Sequence, residues 1–281
     1  MDLLTLIIAI AFVQVWGAEN PLHKDGWFVQ WCDGLQARLK ASAIREYTWL
    51  VAVLVPVLCV WLLAEAVGAV SAWLLLPISV VVMLYSLGRG EFTNIVSEYT
   101  KACYVEDWPS AMERAQRLGV HTDGVDEGDW SALHEQVLTE AGYRGFERSF
   151  VIIFWFLITG PVVALLYRLL FIYCQQRPSE DLPAKCLWAM EWPVTRLLGL
   201  SFAFTGNFVG CYNRLKECLI CFKRSSQEVL TQSILGALSV DENLTQSCEV
   251  TRKELDLLSK LYKRTLWFWL ASAALIIIVV H

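Results

Sequence analysis

The chain has 281 residues, of which 56% are hydrophobic and only 18% are charged, and its net charge is −5. A soluble domain carries about 25% charged residues, so this composition is that of a membrane protein. The sequence has no basic block of the kind that binds nucleic acid, which excludes that class of partner. Its nine cysteines are scattered rather than dense as in a small disulfide scaffold. We therefore expect reduced thiols and mostly cytoplasmic soluble segments.

Residues 2–17 predict a short apolar helix, either a thin membrane span or an interfacial helix. Asp2 stands where a signal peptide would carry basic residues, so we expect no cleavable leader. Apolar residues at helical spacing in 18–46 predict an amphipathic helix against the membrane or the helix bundle. These residues are Trp27, Val29, Trp31, Leu35, Leu39 and Ile44.

Two closely spaced apolar runs, 47–67 and 69–87, predict an antiparallel transmembrane hairpin, because Gly68 and Ser71 leave room for only a tight turn. Pro56 and Pro77 lie inside these runs, where each removes a backbone donor and is expected to kink its helix.

Residues 88–148 predict a small cytoplasmic block of three helices, too short for a common independent catalytic domain. The first two helices are separated at 107–110, with Asp107 as N-cap and Pro109 in the first turn. An acidic turn with two glycines leads into the third helix, 130–142.

Residues 146–174 are long and apolar enough to predict one central membrane helix, kinked at Pro161. Near its end lies Arg168, and an arginine at membrane depth either faces a bundle interior or snorkels to the interface. Residues 175–192 then predict a polar connector, and 195–213 a further candidate span with small and polar residues that favour close helix packing.

The remaining chain predicts a second cytoplasmic helical block at 214–264 and a short C-terminal span at 265–280. If 195–213 spans the membrane, 18–46, 88–148 and 214–264 lie on one side, and their basic residues near the membrane boundaries place them in the cytoplasm. If 195–213 does not span, 214–264 lies in the periplasm, which its basic residues Lys260, Lys263 and Arg264 disfavour. The fold class we expect is all-α, a polytopic helical membrane protein with small cytoplasmic helical modules. Its four consecutive regions are 1–87, 88–148, 149–213 and 214–281.

Catalytic signatures are absent from the sequence: there is no phosphate-binding loop, no HExxH, no GxSxG and no kinase motif. The four histidines are far apart, so we expect no metal site and no cofactor. Cys218 and Cys221 form a lone CxxC, which is typical of two membrane-proximal thiols unless a second motif or a redox-active fold surrounds it.

The remaining candidates for function are charged residues at the membrane boundaries. Arginines that converge at the mouth of a bundle can clamp a phosphate or carboxylate in bidentate fashion. The competing explanation is positive-inside anchoring with ordinary ion pairs. A buried arginine also requires a carboxylate, a carbonyl or a bound anion within hydrogen-bond reach. The candidate ligand-binding residues are Arg168, Tyr167, Arg196, Glu147, Arg148, Arg89 and Glu91.

Three stretches resemble, in order and spacing, the AmpE family. They are LYSLGRGEFTNIVSEYTKACYVEDW (84–108), FERSFVIIFWFLITGPVVALLYRLL (146–170) and MEWPVTRLLGLSFAFTGNF (190–208). The resemblance covers nearly the whole chain. It implies a multi-pass bacterial inner-membrane protein that senses or modulates cell-wall signalling in β-lactamase induction. The partners it implies are membrane lipids and either a peptidoglycan-recycling amidase or a muropeptide-type ligand.

The chain is more distantly similar to the CobD/CbiB membrane enzymes of cobalamin synthesis. The segments that match are Gly160-Pro161 to Tyr167-Arg168 and Pro193 to Leu197, while Tyr143-Arg144 and 171–174 depart from the pattern of those enzymes. We therefore expect a non-catalytic modulator. The alternatives are a membrane enzyme of that type with an altered substrate, or a structural partner of a cell-wall amidase.

Overall fold

The computed structural model describes residues 2–16, 25–39, 47–87, 91–120, 124–216, 218–219, 221–239 and 248–280. Within these ranges the regular structure is entirely helical, which confirms the all-α prediction. The chain divides into two compact units, and each combines two separate parts of the sequence. The first unit contains Met1–Arg89 and Val151–Glu191, and the second contains Gly90–Phe150 and Trp192–His281.

The first unit is built from six complete α-helices, a short 3₁₀ turn at Ala72–Leu74 and the start of a seventh α-helix. The α-helices are α1 (Asp2–Trp16), α2 (Gly26–Leu39), α3 (Thr48–Val70), α4 (Leu75–Ser86), α8 (Val151–Thr159), α9 (Pro161–Gln176) and α10 (Asp181–Thr205) up to Glu191. Its core lies where α2, α3 and α4 pack on α9, around buried side chains such as Phe28, Val53 and Leu169. The predicted amphipathic helix is present as α2, although Ile44 lies outside the described residues. The two apolar runs of the predicted hairpin form α3 and α4, but α3 continues through Gly68 to Val70 and ends at Ser71.

The second unit comprises the remaining helices and the end of α10. They are α5 (Glu91–Tyr104), α6 (Trp108–Leu118), α7 (Trp130–Gly145), a π-helical turn (Phe146–Phe150), α11 (Phe208–Leu215), α12 (Ser226–Leu238) and α13 (Cys248–Val280). Asp107 caps α6 by accepting a bond from the Ser110 N–H at 3.2 Å, as predicted. Helices α11 and α12 approach closely at two glycines, since a Cβ on Gly210 would lie 2.6 Å from the Gly236 carbonyl oxygen.

The single central helix predicted for 146–174 is wrong, because the segment is divided into three parts. The π-helical turn precedes α8, and Gly160 then separates α8 from α9 with a φ of +87°, which side-chain-bearing residues rarely adopt. Pro161 occupies the first position of α9, where its missing N–H is not needed. A break replaces the expected kink because glycine and proline act together.

Two further predictions of span boundaries are wrong. The predicted polar connector 175–192 is largely helical, because α10 begins at Asp181 and continues through Pro193. The predicted span 195–213 is interrupted, because Asn207 ends the run and caps α11 by accepting from the Gly210 N–H at 3.1 Å. The end of the predicted second helical block and the predicted C-terminal span form one helix, α13. Pro77 lies in the first turn of α4 rather than in its middle.

Among the described residues, α3 is the one helix with the length and composition to cross a membrane, with a mean hydropathy of 2.6 over its most apolar window. Only 17% of that window is buried inside the protein. Shorter apolar helices occur at Leu4–Val13, Leu75–Ser86 and Pro161–Gln176. Among the described helices, the length and composition of α3 therefore support one membrane crossing.

Candidate functional site

Arg168 lies on the buried face of α9, in the first unit, with 7% of its side chain exposed. Its Nη2 donates to Asp25 Oδ2 at 3.1 Å, and its guanidinium lies 5.9 Å from the centroid of the Phe171 ring. Asp25 immediately precedes α2. Of the predicted partners for Arg168, a carboxylate, a carbonyl or a bound anion, the structure shows a carboxylate, and the side chain faces the interior rather than snorkelling.

A second ion pair joins the same two helices. Arg177, at the end of α9, donates from Nη2 to Asp33 Oδ1 of α2 at 3.1 Å and lies 4.8 Å over the Tyr173 ring. Because the two pairs are separated by similar numbers of residues in both helices, α2 and α9 run parallel, with the first half of α2 beside the second half of α9. This arrangement fixes the amphipathic helix to the core of the first unit.

Tyr167 links α9 to α10 rather than to a cavity. Its hydroxyl donates to Glu191 Oε1 at 3.0 Å, and both side chains are buried. Nearby, the Trp155 indole N–H donates to the Met190 carbonyl at 3.2 Å. The network around Tyr167 and Arg168 therefore connects helices of the first unit, and the contacts that it makes are structural ones.

Arg196 belongs to the second unit and has its own partners there. Its Nη2 donates to the Cys221 carbonyl at 2.8 Å, and its guanidinium lies 4.8 Å over the Trp192 ring. Trp192 in turn stacks on Phe222, with ring centroids 4.8 Å apart. Arg196 thus holds the loop after α11 against α10. Its predicted convergence with Arg168 on one point stays a prediction, since the two arginines lie in different units.

Glu147 and Arg148 occupy the π-helical turn between α7 and α8. Glu147 is buried, and its Oε1 lies 4.0 Å from Arg144 Nη1. Arg144 also pairs with Glu140 at 2.8 Å, so this carboxylate–guanidinium cluster is internal. A π-turn shifts the register of a helix by one residue and is frequent at functional sites. Arg148, the next residue, lines a cavity.

That cavity has a volume of about 260 Å³ and lies between α5, α7, the π-helical turn and α13. Its walls are mostly apolar, and its cationic residues are Arg148 and Lys263. The lining residues are Val96, Ala141, Gly145, Arg148, Ser149, Phe150, Leu255, Leu258, Ser259, Tyr262, Lys263 and Leu266. Apolar walls with a few placed polar groups are typical of small-molecule sites. The chemistry suits an amphiphile with an anionic head.

Tyr262 lines this cavity and is held in place by contacts with α7 and the π-helical turn. Its hydroxyl donates to the Gly142 carbonyl at 2.6 Å, and its ring lies 5.5 Å from that of Phe150. Gly145 permits the approach, because a Cβ there would lie 3.2 Å from the Tyr262 ring. The contact fixes α13 against α7, so the cavity is preformed.

Of the seven predicted ligand-binding residues, Arg148 lines the cavity described above. Arg89 lies outside the described residues. Glu91 is the first residue of α5, but the structure does not describe its side chain. Lys263, the other cation of the cavity, is not among the predicted ligand-binding residues. The available signal was its place on α13, next to a face that buries Leu255, Leu258 and Leu261 at helical spacing.

A separate buried cluster lies between α5 and α7. The His134 imidazole contacts the Tyr99 hydroxyl through Nδ1, and its Nε2 lies 3.6 Å from Cys103 Sγ. Burial lowers the pKa of His134 to about 4, so its ring is neutral at pH 7. Cys103 is disulfide-bonded, which contradicts the expectation that all thiols are reduced. Sequence spacing missed this because tertiary proximity decides which cysteines pair.

The other cysteines with described side chains are free. In the part of the chain that the structure describes, no three His, Cys, Asp or Glu residues are grouped so as to hold a metal ion. Comparison of the chain with protein-family models, with curated proteins and with solved structures finds no match.

Proposed function

We propose that this chain is a multi-pass bacterial inner-membrane protein that binds an anionic amphiphile and modulates the signalling between peptidoglycan recycling and β-lactamase induction without catalysing a reaction. The observation that carries this proposal is the apolar cavity bordered by Arg148 and Lys263. The resemblance to the AmpE family in three stretches of sequence supplies the pathway.

Exposed apolar side chains support the membrane part of the proposal. On α3 they include Leu58, Trp61, Leu62 and Leu63, and on α13 they include Ile276. Exposing apolar surface to water costs about 25 cal/mol of free energy per Å². Contact of the same side chains with lipid hydrocarbon chains avoids this cost. Membrane lipids are therefore the first partner that we propose for the chain.

The cavity supports a ligand with two parts. Leu255, Leu258 and Leu266 offer contacts to a hydrocarbon chain or an apolar ring. Arg148 and Lys263 offer charge-assisted hydrogen bonds to a phosphate or carboxylate, for which the arginine fork is well matched. Lipid-linked cell-wall intermediates combine such parts, which is why we place the protein in cell-wall signalling.

Two alternatives make different predictions about the same residues. A membrane enzyme related to CobD/CbiB would require Tyr167 and Arg168 beside its substrate, but their contacts with Glu191 and Asp25 occupy them inside the first unit. A structural partner of an amidase would function without the cavity. The non-catalytic ligand-binding interpretation therefore agrees best with the contacts.

The proposal is tested in a bacterial strain that lacks this gene and carries an inducible β-lactamase. We expect the wild-type chain to restore the normal β-lactamase response to a β-lactam, and the double variant Arg148→Gln, Lys263→Gln to fail at equal membrane abundance. The matched control is Lys253→Gln, an exposed cation on α13 away from the cavity. Full complementation by the double variant would contradict the proposal and favour the amidase-partner alternative.

A further inference from the structure

The two cysteines of the CxxC motif lie in a turn that brings them together. After α11 the Cys218 N–H donates to the Leu215 carbonyl at 2.8 Å, and the Cys221 N–H donates to the Cys218 carbonyl at 3.3 Å. An i to i+3 bond of this kind defines a β-turn, in which the end Cα atoms are less than about 7 Å apart. Disulfides bridge Cα atoms that are about 4.4–6.8 Å apart. Both thiols are free.

The two cysteines differ in their access to solvent. Cys218 is fully buried in a small cluster with Leu215 and Val229, whereas Cys221 is partly exposed. This division suits thiol–disulfide exchange, in which only the attacking thiol has to meet an outside molecule. The buried partner completes the exchange from within the turn.

Two arginines give this turn a positive electrostatic environment. Arg224 Nη1 donates to Cys218 Sγ at 2.9 Å, and Arg196 Nη2 donates to the Cys221 carbonyl at 2.8 Å. The backbone N–H groups of Lys223 and Arg224 and the charges of Arg224 and Arg196 lower the pKa of the Cys221 thiol. Cations and backbone donors beside a cysteine favour its thiolate form, which is the nucleophile.

We infer that Cys218 and Cys221 form a redox-active dithiol that exchanges with small disulfides, with Cys221 as the attacking thiol and Cys218 as the resolving thiol. This inference does not depend on the proposed ligand or pathway. It replaces the sequence-based interpretation of two inert membrane-proximal thiols, since the cationic turn supplies the surroundings that the bare motif lacked.

The exchange balances with glutathione disulfide as the oxidant. The Cys221 thiolate attacks one sulfur of the disulfide, its S–S bond breaks, and one glutathione thiolate leaves. Cys218 then attacks the Cys221 sulfur of the mixed disulfide and expels the second glutathione. The two cysteine protons end on the two glutathione thiols, and Arg224 stabilises the negative charge on Cys218 during its attack.

The test uses the full-length protein in lipid nanodiscs, equilibrated in buffers with increasing proportions of glutathione disulfide. After acid quenching and alkylation, trypsin cleaves at Lys216 and Lys223 and releases both cysteines in the single peptide 217–223. We expect this peptide to change from a doubly alkylated form to an intramolecular disulfide that is two hydrogens lighter than the unlabelled dithiol. Persistence of the dithiol in the most oxidising buffer would overturn the inference.

Two cysteine variants test the assigned roles of the thiols. Cys218→Ser should trap a glutathione mixed disulfide on Cys221, because the resolving thiol is missing. If this substitution at a buried position prevents folding, Cys221→Ser should instead leave Cys218 unlabelled by glutathione in a folded protein. Modification of Cys218 by glutathione in that second variant would contradict the assignment.

A further variant tests the electrostatic role of Arg224. Arg224→Gln should slow alkylation of Cys221 several-fold relative to the exposed Cys186 in the same sample. Arg214→Gln is the matched control, because Arg214 bonds to Gln232 at 3.1 Å. An unchanged rate in Arg224→Gln, or an equal loss in the control, would overturn the role of Arg224.

Discussion

At the scale of single residues, the pair between Arg168 and Asp25 makes the sharpest prediction. Both side chains are largely buried, so Arg168→Ala leaves a carboxylate without its counter-charge and should destabilise the protein by about 3–5 kcal/mol. Arg168→Lys should recover less than half of that loss, because the planar fork and its packing on Phe171 are missing. Thermal unfolding in detergent measures both.

The control for this prediction is Arg117→Ala, since Arg117 forms an exposed pair with Glu113 within α6. It should change the free energy of unfolding by about 0.3–0.5 kcal/mol. Replacing both partners with apolar residues, Arg168→Met with Asp25→Leu, should be much less harmful than Arg168→Ala alone. Equal stability of the wild type and Arg168→Ala would refute the structural role of the pair.

His134 predicts a dependence of stability on pH. Its pKa is about 4 in the folded protein, against 6.5 for an ordinary histidine. Between these values the unfolded chain binds a proton that the folded chain does not. Stability should therefore fall as the pH falls from about 6.5 to 4, by at most about 1.4 kcal/mol per pH unit from this group.

The measurement is the free energy of unfolding across this pH range for the wild type and for His134→Gln, which keeps a polar group beside Tyr99. The free energy of unfolding of the variant should depend less steeply on pH than that of the wild type. At pH 7 the variant should be less stable than the wild type. Parallel slopes in the two proteins would show that His134 is not buried in its neutral form.

The sequence predicts that Arg168 needs an anionic partner, because the cost of a buried unpaired charge follows from physics alone. It does not identify Asp25, which is 143 residues away along the chain. The same limit applies to the cavity. Arg148 is visible as a boundary cation, but its neighbour Lys263 comes from a distant helix that only the fold brings near.

At the scale of helices, the break between α8 and α9 occurs at Gly160, directly before Pro161. Gly160 has a φ of +87° and open space around its Cα, so Gly160→Ala is opposed by backbone strain rather than by a clash. We expect a loss of about 1–3 kcal/mol in stability. Gly34→Ala is the matched control, because Gly34 lies inside α2 with open space around it and should gain about 0.5–1 kcal/mol.

Unfolding midpoints of the two glycine variants should therefore move in opposite directions. A stabilising effect of Gly160→Ala would mean that α8 and α9 form the continuous helix that the apolar run alone predicts.

The helices of 88–148 were predictable because their boundaries carry chemical signals, such as the Asp107 cap and Pro109. The apolar segments were harder, because hydrophobicity reports the environment of a segment but not where its backbone breaks. At 195–213 the break depends on Asn207, whose side chain caps α11, and a polar residue in an apolar run is equally compatible with a helix–helix contact.

At the scale of the whole molecule, the interleaved units are what local patterns cannot reveal, because each unit joins segments far apart in sequence. The distribution of basic residues, including Lys260, Lys263 and Arg264, predicts that 18–46, 88–148 and 214–264 face the cytoplasm, although the segment 195–213 is interrupted at Asn207. Single cysteines placed in these segments of an otherwise cysteine-free variant should resist an impermeant maleimide in whole cells and react after lysis. Reaction of 214–264 in whole cells would contradict this topology.

The central claim is that the cavity between α5, α7 and α13 binds an anionic amphiphile, and equilibrium binding of a labelled polyprenyl phosphate to the protein in nanodiscs tests it most directly. We predict saturable binding by the wild type and by Lys253→Gln. We predict at least about tenfold weaker binding by Arg148→Gln with Lys263→Gln, because each lost charge-assisted bond is worth about 1.5–3 kcal/mol. The uncharged polyprenol should bind the wild type no better than it binds the double variant. Equal affinity of the wild type and the double variant for the phosphate would contradict the account.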